Sequence, residues 1–107
     1  MYNYLKLTEV YSRLHMNRKF RRDYGVYCCP HVFKQKEPIL LVVRDPEDGD
    51  YQFLCGCDVS ELERPHLVCV SYFLDNEPAL EQFANLEPGT GAERESVQHD
   101  WEFFELE

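Results

Sequence analysis

The chain has 107 residues, of which 44% are hydrophobic and 14% aromatic; this suffices for one domain with a modest core and argues against disorder. Its formal net charge is −9, divided into +4 on residues 1–23 and −13 on residues 24–107. Because an acidic body repels phosphate backbones, the charge argues against nucleic acid as a partner.

No apolar run approaches the roughly 20 residues of a membrane span, and the N-terminus lacks the basic-then-apolar pattern of a signal peptide. We therefore expect a cytoplasmic protein without membrane contact, in which the thiols are reduced. Five cysteines are an odd number, which fits free thiols or metal ligation better than a closed set of disulfides.

The N-terminal segment has the spacing of an amphipathic helix over residues 5–22. Its apolar residues recur at positions i, i+3, i+4 and i+7, namely Leu7, Val10, Tyr11 and Leu14. The basic run at residues 18–22 would occupy the last turns, where cations suit the helix dipole, and we expect it to be solvated. We divide the chain into an N-terminal helix or extension, residues 1–23, and a single α+β domain, residues 24–107.

The strongest strand signal is a β-hairpin in the middle of the chain. Two apolar, β-prone runs at residues 38–44 and 51–56 flank an acidic turn that contains Asp48-Gly49. In the first run both alternating faces are apolar, so we expect this strand to be central and covered on both sides.

The remaining elements complete a small sheet with one covering helix. Residues 24–28, 66–70 and 99–105 have strand composition, and residues 88–91 are typical of a turn. Asp75 or Asn76 as a cap and Pro78 in the first turn predict a helix over residues 75–86. The sequence therefore predicts an α+β fold, with a mostly antiparallel sheet of four or five strands and the 75–86 helix on one face.

One candidate metal site combines cysteine and histidine from two segments. Zinc prefers four ligands such as thiolates and imidazoles in a tetrahedron, and Cys29, His31, Cys55 and Cys57 could supply three cysteines and one histidine. Each pair has only one intervening residue, which is shorter than known structural sites favour, although residues i and i+2 of a strand share a face. The alternative is that these thiols are buried and inert.

Thiol redox chemistry is a further hypothesis, because Cys28-Cys29 and Cys55-Gly56-Cys57 each place two thiols close in sequence. Neither has the Cys-x-x-Cys pattern that lowers a thiol pKa. No nucleophile elbow, Walker loop or His-Glu-x-x-His motif is present, so the sequence favours a protein that is not an enzyme.

A candidate partner-binding surface consists of two acidic loops. If the loops lie at one end of the sheet, their negative charge would steer a partner protein with a basic surface. Otherwise they are ordinary solvated loops. The acidic residues are Asp45, Glu47, Asp48 and Asp50 in the hairpin turn, and Asp58, Glu61 and Glu63 in the following loop.

Several stretches resemble a group of short uncharacterised bacterial proteins. They are residues 29–33, the hairpin that runs from residues 38–40 to residues 49–56, residues 77–80, residues 88–89, residues 92–94, and Trp101. More distantly the chain is similar to small immunity proteins of bacterial toxin systems, over about residues 26–104. It has Tyr72 where the group tends to have His, and Cys57 is an addition.

The resemblance implies a non-enzymatic protein-binding module of the immunity type, whose partner would be another protein. This is the leading hypothesis for the function. A small zinc-binding protein with a structural Cys/His site is the alternative, and a thiol redox protein is the third.

Overall fold

The computed structural model describes residues 18–34, 37–56 and 64–106. Within them, six strands form one sheet in the order β4-β1-β3-β2-β5-β6. The strands are β1 (Gly25–Cys28), β2 (Leu41–Arg44), β3 (Tyr51–Leu54), β4 (His66–Cys69), β5 (Thr90–Glu93) and β6 (Glu102–Glu105). The helices are α1 (Pro30–Lys34), α2 (Ser71–Leu74) and a 3₁₀ helix (Pro78–Asn85).

The α+β class and the mostly antiparallel sheet are confirmed. Four of the five strand pairs are antiparallel, and only β1 and β3 run parallel. The expected count of four or five strands is wrong, because the sheet has six.

The additional strand, β5, lies between β2 and β6, and its first residues belong to the stretch 88–91 for which the sequence predicts a turn. Its residues, Thr90-Gly91-Ala92-Glu93, are small or polar and lack the β-branched alternation of a typical strand. Packing requires small residues there, because a side chain at Gly91 would approach Val42 O to 2.6 Å and the Phe104 ring to 2.8 Å. Tertiary contacts therefore stabilise β5 although its residues have a low strand propensity.

The helix predicted over residues 75–86 is a shorter 3₁₀ helix, Pro78–Asn85. Proline does occupy its first turn, as expected from the missing backbone donor. Leu80 and Phe83 of this helix and Leu86 directly after it are fully buried. The spacing of Leu80 and Phe83 matches the three residues per turn of a 3₁₀ helix, which places both side chains on one side of the helix.

The described helices cover one face of the sheet, on which Val26, Val42 and Phe53 are completely buried. Phe73 of α2 packs on Phe53, and Phe83 of the 3₁₀ helix packs on Phe103 of β6. On the opposite face of β2, Leu41 and Val43 are only half-buried. We expected both faces of this strand to be covered; the described helices cover one of them.

The segment before β1 packs on the domain through Phe20. Residues 18–22 are not helical, so the last turns of the helix predicted over residues 5–22 are wrong; its earlier part lies outside the described residues. The Phe20 ring lies 5.1 Å from the Tyr51 ring and 6.4 Å from the Phe53 ring, between centroids. Its backbone N–H donates a hydrogen bond of 2.6 Å to the Glu81 carboxylate.

Among the helices of the described residues, none is long and apolar enough to cross a membrane.

Candidate metal site

The parallel pairing of β1 and β3 brings two cysteines to the same edge of the sheet. Cys28 is in register with Phe53, so the carboxyl ends of both strands lie side by side. Cys29 follows β1 directly and Cys55 follows β3 directly. Two thiols that are 26 residues apart in the chain are therefore neighbours.

His31 reaches the same point because α1 begins immediately after Cys29. The Cys29 carbonyl accepts hydrogen bonds of 3.1 Å from the N–H groups of Val32 and Phe33, which closes the first helical turn. Pro30 suits the start of this helix since a proline there removes no helical hydrogen bond.

The three side chains form a compact cluster. Cys29 Sγ lies 3.7 Å from Cys55 Sγ, and Cys55 Sγ lies 3.5 Å from His31 Nδ1. One ligand atom from each residue lies within 4.8 Å of the others. Both cysteines are buried and His31 is half-buried. Three of the four predicted ligands thus come together, and the fourth, Cys57, lies outside the described residues.

These separations agree with the edges of a zinc tetrahedron. With Zn–S near 2.3 Å and Zn–N near 2.0–2.1 Å, tetrahedral angles place two sulfurs about 3.8 Å apart and a sulfur and a nitrogen about 3.6 Å apart. The observed 3.7 Å and 3.5 Å are both within about 0.1 Å of those values. The same distances also allow weak hydrogen bonds among neutral thiols and the imidazole.

The other described cysteines are placed differently. Cys28 is completely buried in the core, and burial is the main reason why its pKa is raised to about 11. A thiol with so high a pKa stays protonated and unreactive near neutral pH. Cys69 is exposed on β4. Across the cluster, Cys29 Sγ faces Cys55 Sγ at 3.7 Å. A disulfide between Cys29 and Cys55 is therefore an alternative to the Cys28-Cys29 pair considered in the sequence analysis.

Aromatic rings pack around α1, the helix that carries His31. The Phe33 ring of α1 stacks on the His66 ring of β4 at 4.7 Å between centroids, and also contacts Tyr72 at 5.6 Å. These rings pack α1 against the sheet. Because α1 carries His31, they hold the imidazole near the two thiols.

The acidic residues of the hairpin turn have structural roles that the sequence did not reveal. Asp45 Oδ1 accepts hydrogen bonds from the N–H groups of Glu47, at 2.7 Å, and Asp48, at 3.4 Å. Asp48 Oδ1 accepts one from Asp50 N–H at 2.9 Å. Asp58, Glu61 and Glu63, predicted to join the same surface, lie outside the described residues. The Asx pattern of Asp45 could have been read from its place at the start of the turn.

No family model, no curated protein and no solved structure matches the chain. The resemblance to immunity proteins therefore stays a prediction.

Proposed function

We propose that this protein binds a zinc ion through Cys29, His31 and Cys55. The observation that supports the proposal is the agreement of two ligand separations with those of a zinc tetrahedron. Cys57, two residues after Cys55 in the sequence, is the residue we propose as the fourth ligand.

The proposed role of the ion is structural. A closed set of three thiolates and one imidazole leaves no position open for water or substrate, as in structural zinc sites. The ion would join the ends of β1 and β3 to the start of α1. It would thereby stabilise the folded chain, since metal that binds only the folded state adds its binding energy to folding.

The test is metal content of the full chain, purified without an affinity tag under reducing conditions and measured by native mass spectrometry. We expect one zinc per chain. Replacement of zinc by Co²⁺ should then produce thiolate-to-cobalt charge-transfer bands, whose intensity increases with the number of cysteine ligands.

Matched variants distinguish ligands from bystanders. Cys29→Ser and Cys55→Ser should lose the metal, and His31→Gln should weaken its binding. Cys69→Ser is the control and should keep it, because Cys69 is exposed on β4 and is not part of the cluster. Loss of zinc and weaker cobalt bands in Cys57→Ser would identify the fourth ligand; full retention would exclude that residue.

Two outcomes contradict the zinc proposal. The first is five free thiols with no metal and no cobalt bands after addition of Co²⁺, which leaves the cysteines as core packing. The second is a Cys29–Cys55 disulfide that forms and breaks reversibly near cellular thiol potentials, which favours the redox hypothesis. The 3.7 Å between these two sulfurs makes the second outcome measurable by peptide mapping without reductant.

The protein-binding hypothesis is the second candidate, and the order of the acidic turn supports it. Hydrogen bonds that the Asp45 and Asp48 carboxylates accept from backbone N–H groups hold the turn, while Glu47 and Asp48 are exposed. A rigid turn presents its charge to a basic partner at a low cost in entropy. A titration with an arginine-rich peptide should detect binding that Glu47→Lys weakens and that Glu102→Lys, an exposed residue on β6, does not. Equal effects of both variants would show non-specific charge attraction.

A further inference from the structure

A second region with chemical character is a basic cleft whose lining shares no residue with the candidate metal site. It has a volume of about 220 Å³ and lies between residues 18–21 and the adjoining ends of β2 and β3. The cleft is bordered by four cations and no carboxylate, although the chain has a net charge of −9. The residues that matter here are Arg18, Lys19, Arg21, Tyr24, Arg44 and Tyr51.

The four cations of the basic run are exposed, as expected, and Phe20 explains why the backbone of the run lies against the domain. Its ring contacts Tyr24 and Tyr51, at 5.8 Å and 5.1 Å between centroids, and its N–H is bonded to Glu81. Lys19 and Arg21 are its immediate neighbours and border the cleft on either side of this anchor. The anchor thus fixes the backbone that carries these cations before any ligand arrives, which lowers the entropy cost of binding.

Arg44 provides a fixed positive charge. Its Nε donates to the Gly49 carbonyl at 3.0 Å, and its Nη1 donates to the Leu86 carbonyl at 2.6 Å. The guanidinium carbon also lies 5.1 Å from the centroid of the Tyr51 ring. Neutral carbonyls and a ring hold this side chain in place, and no carboxylate among the described residues neutralises it.

The other cations differ in how they are engaged. Arg21 pairs with Asp23, and Arg22, which does not border the cleft, pairs with Asp75. Within the described ranges, Arg18 and Lys19 form no ion pair, and both side chains are exposed. Two exposed cations and one fixed guanidinium around a small cleft are a typical arrangement for binding a multivalent anion.

We propose that this cleft binds the phosphoryl group of a small phosphorylated molecule. The volume is below the roughly 300–1,000 Å³ of pockets for drug-sized ligands, so it suits a compact anionic group. Guanidinium groups bind phosphate through paired N–H donors, and Lys19 adds a mobile charge. The acidic body still disfavours a long phosphate backbone, whereas a compact anion in the cleft lies closest to the four cations of its lining.

The test is isothermal titration of the full chain with inorganic pyrophosphate and, separately, with adenosine diphosphate. We expect a dissociation constant of about 1 mM or tighter at low ionic strength, weakened by added salt. Equal affinity for both ligands would show that the phosphoryl groups alone are recognised. Tighter binding of the nucleotide, reduced by Tyr24→Leu, would show that the base also contacts the cleft.

Charge-matched variants localise the binding. The double variant R18Q/K19Q should bind about tenfold more weakly or worse. The control K34Q/R64Q removes the same charge from exposed positions outside the cleft and should bind as the native chain does. The single variant Arg22→Gln, one residue beyond the cleft lining, should also have little effect.

The proposal is overturned if the native chain binds neither ligand, or if the control loses as much affinity as the cleft variant. Melting temperatures of all variants verify the fold; if R18Q/K19Q melts early, Lys19→Gln alone replaces it, with Lys34→Gln as its control. Zinc content, measured on the same samples, should be unchanged, which keeps this result separate from the metal proposal.

Discussion

The guanidinium carbon of Arg94 lies 4.2 Å from the centroid of the Trp101 ring. The same guanidinium donates two hydrogen bonds to the Ile39 carbonyl, at 3.1 Å and 2.8 Å, and pairs with Glu77 at 3.0 Å. Its side chain is only 5% exposed. Arg94 therefore joins the end of β5 to the start of the 3₁₀ helix and to the irregular segment that leads into β2.

Arg94→Gln should lower the free energy of unfolding by about 2–3 kcal/mol, because it leaves the Ile39 carbonyl and the Glu77 carboxylate without their donor. The cost is below that of a fully buried pair, since the Glu77 side chain is 34% exposed. Urea denaturation followed by the emission of Trp101, the single tryptophan, measures the change. The neighbouring exposed Glu95→Gln is the control and should stay within about 0.5 kcal/mol.

Gly91→Ala should destabilise the protein by about 2 kcal/mol or more, because the added methyl group would overlap two neighbours. Val42 O would lie 2.6 Å from the new carbon, and the Phe104 ring 2.8 Å. A companion double variant with Phe104→Ala should recover only part of the loss, since the carbonyl is backbone and cannot move aside. Full recovery would mean that the ring alone causes the conflict.

Asp45→Ala should cost about 1 kcal/mol, because two backbone N–H groups of the hairpin turn lose their acceptor. Asp45→Asn keeps an acceptor oxygen and should restore most of the stability. Glu47→Ala, in the same turn with an exposed side chain, should be nearly neutral. Thermal melts of the three variants give the ranking, and a Glu47 variant less stable than the Asp45 variant would contradict the assigned roles.

Tyr51 should make stability fall at high pH. Burial is the main reason why the pKa of its phenol is raised from 10.0 to about 12, although Arg44 opposes the shift. Between these two values the unfolded chain releases the proton while the folded chain retains it. Stability is therefore full below about pH 10 and decreases above it, by about 1.4 kcal/mol at pH 11.

The comparison with Tyr51→Phe isolates this effect. The phenylalanine variant loses the hydrogen bond of 2.8 Å to the Phe83 carbonyl at every pH, but it has no proton to release. Its deficit relative to the native chain should therefore shrink between about pH 10 and pH 12. Cys28, whose pKa is raised from 9.0 to about 11, titrates in an overlapping window but contributes equally to both proteins. A deficit that is constant with pH would contradict the raised pKa of Tyr51.

The elements that could be predicted from the sequence are those with strong local signals. The hairpin of β2 and β3 follows from two β-prone runs around an Asp-Gly turn, and its strands pair as Leu41 with Leu54 through Arg44 with Tyr51. β5 could not be predicted, because its small residues are selected by the atoms around them and not by strand propensity. A proline in the first turn is compatible with an α-helix as well as with a 3₁₀ helix. Only the spacing of three between buried apolar residues distinguishes the 3₁₀ helix.

The candidate metal site was predictable in its residues but not in its assembly. Cysteine and histidine types alone selected Cys29, His31 and Cys55, which lie within 4.8 Å of one another. Their meeting depends on a parallel pairing of β1 and β3, a long-range contact that no local pattern encodes. The basic cleft escaped prediction for a similar reason, since Phe20 fixes the backbone that carries its cations through contacts with rings that are distant in the chain.

The parallel contact of β1 and β3 also sets when the site can exist during folding. Cys55 is placed by the hairpin of β2 and β3, which a short turn closes. Cys29 reaches its position beside Cys55 only when β1 pairs with β3 and β4. Closing this larger loop costs chain entropy before its contacts form, so it follows the hairpin. If the proposed ion requires both thiols, it would not guide the first steps and would stabilise the sheet only once the inner strands are in place.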